Sequence, residues 1–366
     1  MKIAGHHYRT IWVEDDGRTV SIIDQTRLPH ELCIAQLGTL EEAVEAIRTM
    51  RVRGAPLIGA TAAYGLCLAL CGDPSDRSLS ASIERLAASR PTAVNLRWAL
   101  AEMNATVAPL PVGDRVAAAY RRASEICDED VAICRRIGEH GLRLLAGLAR
   151  SAGGRTLNLL THCNAGWLAT VDWGTALAPV YMAHDAGLDV HVWVDETRPR
   201  GQGSGLTAFE LGAHGVPHTV VVDNAGGHLM QHGLVDACIV GTDRTTRSGD
   251  VANKVGTYLK ALAAHDNGVP FYVALPHPTI DWSIHDGLTE VPIEQRDPAE
   301  VTHVRGRTAD GRVVEVEVVA PGSPAVNIAF DVTPSRYVTA LITDRGVCEA
   351  SEDGLAGLFP DLARRG

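Results

Sequence analysis

The residues most able to do chemistry stand where apolar runs end. In LNLLTHCNAGWLAT (157–170) an apolar run closes on His162-Cys163-Asn164 and passes through Ala165-Gly166 into a second apolar pattern. A thiol at a strand exit, on the threshold of a helix, feels oriented N–H groups and the positive end of the helix dipole, which favour thiolate. Position alone leaves an inert buried cysteine equally open, because cysteine is among the most frequently buried residue types. ACIVGTDR puts Asp243 at an exit of the same kind. A poorly solvated carboxyl there would hold its proton toward neutrality; the plainer alternative is a helix cap or an ion pair with Arg244 or Arg247. A thiol and a carboxyl at neighbouring exits could serve as base and acid on one small substrate.

A second set of residues suits an anion. MRVRGAPLIGA sets Arg53, Gly54 and Ala55 just before an apolar helix, where free backbone N–H groups point outward. AVNLRWA holds Arg97 in an otherwise apolar segment, so its charge calls for a partner. DETRPRGQGSGLT is a glycine-rich loop after a strand, with Arg198, Arg200 and Gln202, and GDVANKVGTY brings Asn253 and Lys254 to the start of a further helix. Each signal alone is weak, since a lone Arg is usually a surface charge and a glycine-rich loop usually a turn. Together they point to a phosphate site built from Arg, Lys and helix starts. GQGSG does not fit the G-x-G-x-x-G fingerprint of a dinucleotide fold.

The elements that must position these residues fall into two textures. TIWVEDD and TVSIID around Gly17 form a hairpin, and TLEEAVEAIRTM is a helix capped by Thr39. ATAAYGLCLAL and the segments 79–88, 94–104 and 114–149 are further helices, with no strand signal between about residue 24 and residue 155. From Thr156 onward TLNLLTH, DVHVWVDE, HTVVVD, ACIVGTD, PFYVAL and YVTALITD are strands separated by helices. That alternation implies right-handed crossovers and a largely parallel sheet, an α/β fold. Ligands of such sheets sit beyond the carboxyl ends of the strands, which singles out Cys163, Asp195-Glu196, Asp223-Asn224 and Thr242-Asp243. The segment 300–322 is expected as a hairpin or irregular excursion.

Composition bounds the function. The 366 residues have a net charge of -11 without a basic block, which argues against nucleic acid as a partner. The first residues lack the apolar core of a signal peptide, no apolar run is expected to span a membrane, and the eight scattered cysteines fit a reduced, cytoplasmic protein. No Cys/His set has zinc-ligand spacing, and His6-His7 lacks a third ligand nearby, so no metal is expected.

DQTRLPHE, MRVRGAPLIGA, SRPTAVNLRWA, THCNAG, DETRPRGQGSGLTAFEL, DNAGGHLM, GTDRTTRSGDVANKVGTY, PIEQRDPAEVT and NIAFDVTP run almost from end to end. In these stretches the chain resembles the methylthioribose-1-phosphate isomerases, the metabolic branch of a family that includes regulatory subunits of translation initiation factor 2B. The resemblance implies a helical N-terminal domain with a short hairpin (1–125) and a Rossmann-like catalytic domain (126–366), as a homodimer without cofactor. It implies an aldose–ketose isomerisation of a sugar 1-phosphate in methionine salvage, with Cys163 and Asp243 catalytic. Arg53, Gly54, Ala55, Arg97, Gln202, Asn253 and Lys254 would hold the phosphate and ring hydroxyls. Trp167, the RPRGQGSGLT loop, the His277 loop and Ile328 depart from the usual pattern. The plain reading of these departures is drift; the sharper one is a changed pocket at the sugar's C5 end, with Trp167 and the His277 loop altering the room for the methylthio group. A 5-deoxyribose 1-phosphate or ribose 1,5-bisphosphate isomerase and a non-catalytic sugar-phosphate sensor stay open as alternatives.

Overall fold

The computed structural model describes residues 1–3 and 5–364. The N-terminal half opens with two-residue strands β1 (Lys2–Ile3) and β2 (His6–His7), then β3 (Ile11–Val13), β4 (Val20–Ile23) and β5 (Ile34–Leu37). The last three form an antiparallel sheet in which Ile11 pairs with Ile22 and Ile22 with Ala35. β3 and β4 are the expected hairpin. β5 lies where no strand was expected: its four residues alternate exposed and buried, and one of the two buried side chains is only an alanine, too faint a period-two signal to read.

Five helices follow: α1 (Leu40–Arg48), α2 (Ala55–Gly72), α3 (Asp76–Ser89), α4 (Val94–Val107) and α5 (Arg115–Ser151). α1 begins as expected at Thr39, whose hydroxyl accepts from Glu42 N at 3.2 Å while the Glu42 carboxylate accepts from Thr39 N at 3.0 Å. α2 is long and apolar enough, by length and composition, to cross a membrane, which the sequence reading did not anticipate. It is apolar on all sides because α1, α3, α4 and α5 pack around it, and Leu57, Ala62, Leu66 and Leu70 have no exposed surface. α5 serves both halves of the chain: Ala119 and Ala123 pack into the N-terminal core, and Ile137 and Leu145 into the core beneath the large sheet.

The C-terminal half alternates β6 (Leu157–Thr161), α6 (Ala178–Asp185), β7 (Val190–Asp195), α7 (Ala208–His214), β8 (His218–Val221), α8 (Ala225–Gln231) and β9 (Ala237–Val240). Then come β10 (Arg244–Thr246), β11 (Val251–Lys254), α9 (Thr257–Asp266), β12 (Phe271–Ala274) and β13 (Ile280–Asp281). Short strands β14 (Gln295–Arg296), β15 (His303–Arg307), β16 (Val313–Glu317), β17 (Asn327–Ile328) and β18 (Phe330–Thr333) lead to β19 (Ala340–Thr343) and β20 (Gly346–Cys348). β15 and β16 are the hairpin expected in 300–322.

The large sheet has the order β20-β19-β12-β9-β6-β7-β8, parallel except for the edge strand β20. All six strands expected after Thr156 are in it. β9 and β12 are buried at every position, as strands covered on both faces are. The chain runs outward from β6 through β7 to β8, then returns to β9 and runs the other way through β12 to β19. Its direction therefore reverses between β6 and β9, which are direct neighbours with Leu159 opposite Ala237 and Leu160 opposite Cys238. A crevice opens at such a reversal, beyond the carboxyl ends of the two strands.

Candidate active site

Cys163 leaves β6 and Asp243 leaves β9, so the two stand on either side of that crevice. Cys163 is buried and takes a left-handed backbone conformation, φ 66°. Two threonines fix the bend: Cys163 N donates to Thr197 Oγ1 at 2.8 Å, and the Thr207 hydroxyl donates to the Cys163 carbonyl at 2.7 Å. No helix starts at the thiol, contrary to expectation. Asn164 to Gly166 are loop, Trp167–Ala169 is a single 3-10 turn, and α6 begins only at Ala178. Burial pushes the Cys163 thiol up, while the cations Arg53 and Lys254 pull it down. The charge that favours thiolate comes from side chains rather than from a helix dipole.

Asp243 is held by its backbone, whose N–H donates to Ala252 O at 3.0 Å and so ties the strand exit to β11. Neither ion-pair partner that the sequence offered takes it: Arg244 pairs with Asp281 at 2.9 Å and Arg247 with Glu352 at 2.6 Å. Among the described residues nothing donates a hydrogen bond to its carboxylate. Burial raises its carboxyl above the ordinary range, against the opposing pull of Lys254, Arg53 and Arg90. Asp243 faces a cleft whose other walls are Ala55, Ile58, Ala93, Ala252, Val291, Ile293 and Phe330, with Arg90, Thr92 and Arg244. Both halves of the chain contribute to that cleft.

Two buried cations, without carboxylate partners among the described residues, lie near enough to act on both Cys163 and Asp243. Lys254, on β11, donates to Ala329 O at 2.7 Å and lies 4.6 Å from the centre of the Phe330 ring. Arg53 donates both terminal nitrogens to Asn164, one to its side-chain oxygen and one to its carbonyl at 2.7 Å. Gly54, the residue before α2, has φ 91°. The N–H groups of Ala55 and Leu57 open the helix, Pro56 having none to offer. A buried cation that lacks a counter-charge is costly unless an anion completes it. Lys254 and Arg53 are such cations, and both act on Cys163 and on Asp243.

The remaining candidates divide. Gln202 is buried and, among the described residues, its side-chain amide makes no hydrogen bond. Asn253 is buried and donates to Thr257 Oγ1 at 3.0 Å. Arg97 is exposed on α4 without an ion pair among the described residues: its apolar neighbours face inward at helical spacing, so the charge needs no internal partner. Arg198 and Arg200 are engaged elsewhere, Arg198 with Val301 O at 2.7 Å and Arg200 with Glu300 at 2.8 Å. Arg200 ends a chain of ion pairs through Glu300, Arg296 and Glu294 to Arg90. Burial would raise the Glu300 carboxyl, but Arg296 and Arg200 beside it hold it down at about 2. Trp167 does not line the cleft. It is 1% exposed and packs into the core beneath the large sheet. His277 is bonded to Asp344, with Nδ1 3.2 Å from Oδ2.

Behind Cys163 lies a charge cluster that the sequence reading missed. His162 places Nδ1 3.0 Å from Asp195 Oδ2 and Nε2 2.9 Å from Val255 O, and the Lys260 ammonium is 3.1 Å from the same Asp195 oxygen. Donor atoms of His162, Asp195 and Asp223 lie within 4.8 Å of one another, as metal ligands would. Lys260 already supplies the cation, donating also to Asp223 O. The exits of β7 and β8 were marked as places to inspect, but nothing in TYLKALAAHD signals that its lysine turns inward.

Residues 26–350 match the initiation factor 2 subunit family. The chain is 66% identical to the methylthioribose-1-phosphate isomerase of Paramagnetospirillum magneticum over 99% of its own length and 100% of that protein. It is 64% identical to that of Rhodospirillum centenum, covering 100% of this chain and 97% of the other. The crystal structure of 5-methylthioribose 1-phosphate isomerase from Pyrococcus horikoshii OT3 superposes with a TM-score of 0.83 at 38% identity, over 97% and 96% of the two chains. That of translation initiation factor eIF-2B subunit delta from A. fulgidus does so with 0.78 at 35%, over 97% and 100%. The chain belongs to the initiation factor 2 subunit family. Within it, the chain falls in the isomerase branch and is an enzyme, an intramolecular oxidoreductase.

Proposed function

We propose that the chain converts 5-methylthioribose 1-phosphate to 5-methylthioribulose 1-phosphate, with Asp243 as acid and Cys163 as base. The observation that carries this reading is the pairing across the crevice: a buried thiol and a carboxyl that burial raises, with two buried cations beside them, none of the last three having a salt-bridge partner among the described residues. Phosphate on C1 blocks the ring opening open to a free hemiacetal, so the ring oxygen must be made to leave. Asp243 protonates that oxygen as the C1–O bond breaks. The Cys163 thiolate removes the C2 proton, and the electrons of the C2–H bond form the double bond of a cis-phosphoenolate. Return of the proton to C1, as the C2 hydroxyl proton departs, leaves a ketone at C2. The oxidation of C2 balances the reduction of C1, so the step needs no outside electron carrier. Arg53, Lys254 and the start of α2 hold the phosphate, with Gln202 and Asn253 toward the ring hydroxyls.

Ile58, Ala93, Val291, Ile293 and Phe330 form the apolar side of the cleft. A thioether suits that surface better than a second phosphate, because the cations in its walls, Arg90 and Arg244, are already paired with Glu294 and Asp281. The test is a panel of 5-methylthioribose 1-phosphate, 5-deoxyribose 1-phosphate and ribose 1,5-bisphosphate, followed by NMR. A preference of tenfold or more in kcat/KM for the methylthio sugar, about 1.4 kcal/mol in transition-state binding, is expected. Preference for the bisphosphate would replace the substrate, and inactivity toward all three would return the chain to the role of a sensor.

A further inference from the structure

Glu210, on α7, has no exposed surface and does not line the cleft. Its carboxylate nevertheless collects four hydrogen bonds from the segment that follows Cys163 and from α6. Oε1 accepts from Asn164 Nδ2 at 2.9 Å and Leu168 N at 2.9 Å. Oε2 accepts from Trp167 N at 2.8 Å and the Tyr181 hydroxyl at 2.6 Å. Gly166 makes the room, since a Cβ there would lie 1.8 Å from Oε2. Burial raises this carboxyl, and the four donors oppose the rise. A buried carboxylate so fully supplied has an orienting task, and the side chain it orients is Asn164.

An asparagine amide has a donor end and an acceptor end that its shape barely distinguishes. Here the donor end is committed to Glu210, with Thr207 Oγ1 a further 3.2 Å neighbour. The acceptor end must then face the other way, and it meets the Arg53 guanidinium. We infer that Glu210 is a positioning residue which, through Asn164, fixes Arg53 beside Cys163 with its charge left open for the substrate's phosphate. A direct Arg53–carboxylate pair would give the same rigidity but cancel the charge. Setting the carboxylate one residue back keeps the geometry and leaves the cation usable. The inference rests on the reading of Arg53 as a phosphate contact.

The test compares Glu210→Gln, Asn164→Ala and the double variant with the wild type. Melting curves establish folding. The readouts are kcat and KM for the sugar 1-phosphate and the pH midpoint of Cys163 alkylation by iodoacetamide. Each single change is expected to raise KM by roughly tenfold or more, and to move the alkylation midpoint upward, because Arg53 favours the thiolate. The double variant is expected to be no worse than the worse single, as residues acting in one relay are not additive. Wild-type KM and midpoint in Asn164→Ala, or additive losses in the double variant, would overturn the relay. Should Glu210→Gln not fold, Asn164→Ala decides alone, since it keeps the other three donors to Glu210. Arg53→Lys separates the two ideas: an unchanged KM there removes the phosphate reading itself, whereas a raised KM with Asn164→Ala unaffected removes only the relay.

Discussion

Gly54 and Ala169 meet backbone to backbone. A Cβ on Gly54 would fall 2.3 Å from the Ala169 carbonyl oxygen and 2.7 Å from its Cβ. Ala169 ends the 3-10 turn that follows Cys163, and Gly54 precedes α2. This contact therefore seats the helical half of the chain against the loop that carries the thiol. The start of α2 reaches the crevice because nothing larger than hydrogen separates the two segments.

Gly54→Ala should accordingly be severe. The added methyl overlaps backbone, and φ 91° is a conformation that alanine resists. A stability loss of about 2 kcal/mol or more, with kcat/KM down by ~10²-fold, is expected from urea melts and initial rates. Wild-type values for both would mean that the apposition can open without consequence.

Asp130, on α5, gives a pH prediction. It accepts from Val171 N at 2.8 Å, and burial raises its carboxyl to about 7. Because the folded value lies above the unfolded one, the folded chain holds this proton more tightly. The resulting stability is fully present below the ordinary carboxyl range and is lost as pH rises through about 7. Asp130→Asn keeps the acceptor for Val171 and removes the titration. Its urea midpoint should exceed that of wild type by a margin that grows between pH 5 and pH 8. Parallel curves across that range would refute it.

Lys254→Met tests the anion site. The methionine stem preserves packing over Phe330 and removes the charge. Inorganic phosphate, used as a competitive inhibitor, should bind at least ~10-fold more weakly, and kcat/KM should fall by ~10²-fold. Unchanged phosphate inhibition would place the anion elsewhere.

The route of hydrogen transfer has its own signature. Turnover in heavy water should place deuterium at C1 of the product, read by NMR, if Cys163 exchanges the proton it carries. Complete retention of protium would favour a C2-to-C1 hydride shift, with Cys163 positioning the substrate.

The large sheet was legible because parallel strands are buried on both faces and so read as unbroken apolar runs. The start of α1 was legible because a capping box is a local pattern. The adjacency of β6 and β9 was not, since strand order is settled by contacts between residues nearly eighty positions apart. Without that order, position alone could not place Cys163 and Asp243 across one crevice; residue type and the family resemblance had to single them out. Arg97 was misjudged because an apolar neighbourhood in sequence is not one in space when a helix turns the residue outward. Glu210 escaped notice because TAFEL reads as a helix with an ordinary surface acid. Its burial depends on Gly166 and Tyr181, which come from other elements.

The most direct measurement is single-turnover kinetics of Cys163→Ser and Asp243→Asn on 5-methylthioribose 1-phosphate, with melting curves taken on the same samples. A loss of ~10²-fold or more in each variant, on a folded protein, is the expected result for an acid and a base facing one substrate. Turnover within ~2-fold of wild type in either variant would contradict the pairing of that residue with the other across the crevice.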